Sequence, residues 1–140
     1  MLMDSQEPTD QGAYRPQIGK NKHFFQSLGH ALEGISFVLK HERNFRFQLT
    51  ATVAVLLLGC LVGLASWEWL VLILACLLVL TMELVNTVIE WTIDLIVGDQ
   101  YHPVAKHVKD VGAGTVLTAA IFAVAVGLII FIPKLLSLIA

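Results

Sequence analysis

Residues 82–94 read MELVNTVIEWTID, placing Glu83, Asn86, Glu90 and Asp94 on one helix of a chain otherwise built for lipid. At 100° per residue, positions 83, 86, 87, 90 and 94 fall within one arc of about 100°, while Leu84, Val85, Val88, Ile89, Leu95 and Ile96 cover the remainder. A polar stripe therefore runs along an apolar helix. Just upstream, residues 69–82 carry no charge but are too few to cross a bilayer, so the span must continue through the stripe. Counted from Trp69 at about 1.5 Å per residue, Glu83 lies roughly 21 Å deep and Glu90 roughly 31 Å, against a hydrocarbon core of about 30 Å. The stripe leads from inside the membrane to its wet surface.

Working outward, the chain of 140 residues is 56% hydrophobic and only 14% charged, with a mean hydropathy of +0.75, which is the composition of a membrane protein. A net charge of -2 argues against nucleic acid as a partner, because binding phosphates needs a basic face. Cys60 and Cys76 lie in apolar runs with no His or Cys at metal-ligand spacing, and read as small buried hydrophobes. Residues 1–21 are polar, carry acidic groups and lack an apolar signal core, so a disordered cytoplasmic tail is expected there rather than a secretory signal.

The fold expected is all-α: a surface helix over about 22–40 and three membrane spans over about 47–65, 69–96 and 107–132, together forming one domain from residue 22 to 140. Trp67, Glu68 and Trp69 mark an interface, and Pro133 with Lys134 should stop the third span. Arg15, Lys20, Lys22, Lys40, Arg43 and Arg46 precede the first span, Lys106 and Lys109 follow the second, and Lys134 alone remains for the other side. That bias puts the N-terminus and the second loop in the cytoplasm and the C-terminus outside. Phe25, Leu28, Leu32, Ile35 and Leu39 recur at helical spacing opposite His23, Gln26, His30, Glu33 and Lys40, the pattern of an amphipathic helix on the cytoplasmic membrane surface.

A charge at the bilayer centre costs about 2.5 to 3.5 kcal/mol on insertion scales, so such groups face a protein interior or a cavity. Three spans offer little interior, and the stripe is expected to face a neighbouring helix or another subunit. Two readings compete: Asn86 and Thr87 as hydrogen-bonding glue between helices, or the carboxylates as a functional site. Residues 99–114, DQYHPVAKHVKDVGAG, add Pro103 as a helix opener and put Lys106, Lys109 and Asp110 on one face near the carboxylates. HERN at 41–44 adds Glu42, either a helix cap or another carboxylate for a cation. No G-x-x-x-x-G-K-[ST] loop occurs, and Gly112, Ala113 and Gly114 read as small residues that let the third helix pack closely.

The strings ELVNTVIEWTID at 83–94 and YHPVAKHVKD at 101–110 resemble the signature of the small prokaryotic integral-membrane lipid kinases, the diacylglycerol kinase and undecaprenol kinase family. The resemblance covers roughly residues 22–133. HERN, the WEWL turn at 67–70 and GLIIFIP at 127–133 look closer to the Gram-positive undecaprenol kinase branch. The resemblance implies a homotrimeric bundle with active sites shared between subunits, acting on a lipid alcohol with ATP and magnesium (Mg2+). By matching position it implies Glu83 as catalytic base, Glu42 and Glu90 as metal-coordinating carboxylates, and Asn86 and Lys109 as groups that position the lipid hydroxyl and the phosphates. It further implies nucleotide contacts at Tyr101, His102, Asp110 and His30. His30 departs from a tyrosine found in some relatives, and the link from Asp94 to Tyr101 is longer by a residue than in others.

Such a layout suits the chemistry. A lipid alcohol presents its hydroxyl near the headgroup boundary while ATP arrives from water, so the reacting atoms meet where the stripe crosses that boundary. A carboxylate just inside can accept the hydroxyl proton, carboxylates further out suit magnesium, and a lysine can offset phosphate charge. The expected reaction is phosphorylation of undecaprenol to undecaprenyl phosphate, with diacylglycerol the alternative acceptor. A small proton- or ion-conducting oligomer would use acidic residues too; against it, residues 69–82 offer only Thr81 as a polar side chain apart from the Cys76 thiol. A purely structural subunit leaves Glu42, Lys109 and Asp110 without a purpose.

Overall fold

The structure, a computed structural model, describes residues 24–139; the expected tail over 1–21 lies outside them. Four helices follow in order: α1 Phe24–His41, α2 Arg43–Val62, α3 Ser66–Val97 and α4 Pro103–Ile139. The chain divides into two compact units, Met1–Gly34 and Ile35–Ala140. In the first, the opening turns of α1 expose Phe24, Phe25, Leu28 and Leu32, and His30 Nδ1 lies 3.4 Å from Glu33 Oε2.

Helices α2, α3 and α4 are each long and apolar enough to cross a membrane. With 32 residues, α3 is about 48 Å long and exceeds a hydrocarbon core of about 30 Å, so it carries the stripe beyond the apolar layer. Its partner is chiefly α4, with α2 packed more lightly against α3. Leu72 and Ala75 of α3 meet Val126, Ile130 and Phe131 of α4, and Val55, Leu58 and Trp69 pack around them. In lipid, where water exclusion does not drive helices together, this contact rests on close van der Waals fit. It lies toward the Trp69 end of α3 and leaves the opposite end for polar groups.

Local sequence explains the boundaries. α2 ends at Val62 because Gly63 turns the chain at φ 67° and ψ 72°, a left-handed conformation open to glycine, so Leu64 and Ala65 belong to the turn. Glu68 Oε2 accepts the Ala65 N–H at 2.6 Å, satisfying one free donor at the start of α3, and Lys134 Nζ of α4 reaches the same oxygen at 2.9 Å. At the other end Gly98, at φ 58°, closes α3 with its N–H on the Asp94 carbonyl, 2.9 Å. Pro103 opens α4.

Two expectations need correction. Pro133 does not stop α4, which continues to Ile139; proline removes only the one N–H that would reach the Ile129 carbonyl, a loss that membrane helices absorb. Cys60 is exposed rather than buried and Cys76 is half-buried, because α2 packs through a single face and Cys60 lies off it.

Between α1 and α2 only Glu42 breaks the helix, at φ -96° and ψ 113°. Arg46 Nη1 donates to the Leu39 and Lys40 carbonyls at 3.2 and 2.9 Å, capping the end of α1 and bracing the break.

Candidate active site

Glu83, Asn86 and Thr87 are the buried polar side chains among the described residues, with Glu83 only 4% exposed. All three project from α3, where the stripe predicts them. Thr87 Oγ1 donates to the Glu83 carbonyl at 3.0 Å, and Asn86 Nδ2 donates to Glu90 Oε1 at 2.9 Å. Both bonds stay within α3, so within this chain Asn86 and Thr87 do not act as cross-helix glue. Glu83 lies within electrostatic reach of Glu90 and of Glu42. Glu83, Asn86 and Glu90 line a cleft of about 300 Å³ whose other walls include Asn44 and Gln48 of α2 and Ala113 of α4.

Asn86 Oδ1 is buried without a hydrogen-bond partner. Such an atom costs free energy, so its setting is informative. It faces Gly112 of α4, where an added Cβ would stand 2.6 Å away. Gly112 is therefore what allows α4 to close against Asn86. Gly114, which the sequence groups with it, has nothing within 4 Å of such a Cβ.

Glu42 occupies the N-cap position of α2 but makes no capping bond. Its Oε1 instead accepts the indole N–H of Trp91 at 2.9 Å, bringing a carboxylate from the α1–α2 break onto α3. On the same helix, Asp94 Oδ1 takes Lys109 Nζ at 2.6 Å and so ties α4 to α3. Asp110 pairs along α4 with Lys106 at 2.5 Å. Tyr101 and His102 line a separate cleft of about 460 Å³ with Ile93, Gln100 and Ala105, and Tyr101 is largely exposed. His30 belongs to the other unit.

The structure thus brings Glu83, Asn86 and Glu90 into one cleft, tethers Glu42 to α3 and joins Lys109 to Asp94. It does not place Tyr101 or His102 in that cleft. Trp91 and Asn44 enter the sequence reading only as members of the quoted strings, Gln48 does not enter it, and Asp94 counts there as one carboxylate of the stripe without a partner of its own. Position could have pointed to Trp91: it follows Glu90 directly, at a depth where indoles favour the membrane boundary. Asn44 closes the HERN string, and no comparable signal marks Gln48.

The chain matches the family described as prokaryotic diacylglycerol kinase over residues 29–131. It is 46% identical over 112 residues to an undecaprenol kinase of Bacillus subtilis, an alignment covering 80% of this chain and 90% of that one. It is 44% identical to a diacylglycerol kinase of Synechocystis, covering 80% of this chain and 64% of that protein. A diacylglycerol kinase of Helicobacter pylori is 35% identical over 113 residues, covering 76% and 83% respectively. The family consists of membrane enzymes that phosphorylate lipids, and three apolar helices with a carboxylate-lined cleft are consistent with that chemistry. The chain belongs to the prokaryotic diacylglycerol kinase family and is a membrane lipid kinase.

Proposed function

We propose that this kinase transfers the γ-phosphoryl group of ATP to the hydroxyl of undecaprenol. The observation that carries the reading is Glu83, buried on an apolar helix beside Asn86 and Glu90, in a cleft at the end of the helix that the basic residues assign to the cytoplasm. Glu83 accepts the hydroxyl proton as the alcohol oxygen attacks the γ-phosphorus; the bond to the β–γ bridging oxygen breaks, and ADP departs. Asn86 holds Glu90 in place, and Lys109, carried to this end of the bundle by Asp94, offsets phosphate charge.

Among the described residues no three His, Cys, Asp or Glu side chains gather into a metal site. A pair of carboxylates completed by phosphate oxygens is a donor set that suits magnesium, and Glu42 and Glu90 would hold it. When bound, the ion neutralises developing charge on the phosphates. Tyr101, His102 and Asp110 are the proposed nucleotide contacts, with His30 on the surface helix a further one. The homotrimer that the resemblance implies would set a neighbouring subunit against this cleft, whose walls in one chain come from α2, α3 and α4.

The name of the Bacillus relative favours undecaprenol, and the names of the others favour diacylglycerol as the second reading. Transfer from labelled ATP to each lipid by purified protein, with and without magnesium, separates them. Faster magnesium-dependent turnover of undecaprenol is expected. Preference for diacylglycerol would move the assignment to that acceptor, and no transfer to either by folded protein would return the stripe to an ion pathway.

A further inference from the structure

We infer that Trp91 is a positioning residue that holds the Glu42 carboxylate in register with Glu90 for the cation that accompanies the nucleotide; this rests on the reading of those two carboxylates as a metal pair. A carboxylate at an N-cap ordinarily accepts from the first backbone N–H groups of its helix. Glu42 has that place and leaves the bond unmade. Its Oε1 takes the Trp91 indole N–H at 2.9 Å instead, across 49 residues of chain.

The indole is itself oriented. Phe37 meets it edge-on, with ring centroids 5.1 Å apart at 81°, and Phe37 stacks on His41 at 4.1 Å. His41 Nδ1 is fixed by the Phe37 carbonyl at 2.8 Å. Trp91 is half exposed, so filling a core is not its role. Each carboxylate therefore has one oxygen held by a neutral N–H donor, Glu42 by Trp91 and Glu90 by Asn86, while among the described residues the second oxygen has no partner. A neutral donor aims a carboxylate without cancelling its charge, whereas Lys or Arg in the same place would compete with the cation.

The test is Mn2+ binding to the full chain in lipid nanodiscs, read by electron paramagnetic resonance with a non-hydrolysable ATP analogue present, together with steady-state kinetics. Trp91→Phe keeps the ring edge for Phe37 and removes the donor. It should weaken Mn2+ binding about tenfold, the loss expected for one hydrogen bond to a charged group, and raise KM for magnesium-ATP more than it lowers kcat. In a Glu42→Gln background the same change should add nothing, since Trp91 would have no carboxylate to aim. Trp91→His, which keeps a ring N–H, should bind Mn2+ more tightly than Trp91→Phe. Wild-type Mn2+ affinity in Trp91→Phe, equal weakening in both backgrounds, or the reverse order of the His and Phe variants overturns the inference. If Glu42→Gln and Glu90→Gln both bind Mn2+ as wild type does, the metal pair itself fails, and that result is distinct from failure of Trp91 alone.

Discussion

Replacing Gly112 with alanine would set a methyl carbon 2.6 Å from Asn86 Oδ1 and 3.6 Å from Ile89 Cδ1 and Cγ2. Ordinary contact begins near 3.4 Å, so about 0.8 Å must be found on one side or the other. Asn86 can yield only by turning away from Glu90, whose Oε1 it holds at 2.9 Å. The alternative is for α4 to back away from α3, which would pull Lys109 from Asp94, now at 2.6 Å. Overpacking of this kind costs about 1 to 3 kcal/mol of stability. Its effect on rate is larger, because a shift approaching 1 Å in a positioned group costs on the order of a hundredfold. The assay is the initial rate of lipid phosphorylation at saturating ATP and lipid, with thermal unfolding in the same detergent. Gly112→Ala should lose about a hundredfold in rate while still folding. Gly114→Ala, two residues further along α4 but in open space, should stay close to wild type. A Gly112→Ala enzyme within about twofold of wild type, or equal damage from both substitutions, would refute the close approach of α4 to Asn86 as the reason for glycine at 112.

Glu83→Gln should abolish transfer yet elute as wild type does, checked by activity and by size-exclusion chromatography; a changed elution volume instead would return Glu83 to a packing role. Lys109→Met should slow transfer by about a hundredfold or more, the usual loss when a donor aimed at developing charge is removed, measured as kcat at saturating magnesium-ATP. Chelation of divalent cations should stop turnover and leave the helical circular dichroism unchanged, with activity restored by added magnesium. Glu68→Gln should lower the unfolding temperature without changing the transfer rate, because Glu68 joins the Ala65 N–H and Lys134 at the end of the bundle away from the cleft.

Much of the fold is legible in the sequence because the bilayer imposes simple rules on it. Uncharged runs of sufficient length have to be helices, and the 3.6-residue period alone puts Glu83, Asn86 and Glu90 on one face. Pro133 misleads because the rule that proline breaks helices comes from water, where competing solvation of the freed carbonyl is at hand; α4 passes through it. Cys60 misleads for a related reason: apolar sequence in a span marks lipid exposure as readily as burial.

By itself, the sequence determined the class of protein, the helical character of its spans, and the polar stripe that crosses from lipid toward water, because each depends on composition and on neighbours no more than a few turns apart. Only the tertiary structure decided which side chains meet across helices. Glu42 leaving its cap for Trp91, Gly112 admitting Asn86, Asp94 taking Lys109, and Tyr101 with His102 lining a different cleft are all set by how α2 and α4 pack against α3. Helical periodicity gives the direction of a side chain around its own axis; the rotation and spacing of a second helix, fixed by packing along its whole length, determine what that side chain touches.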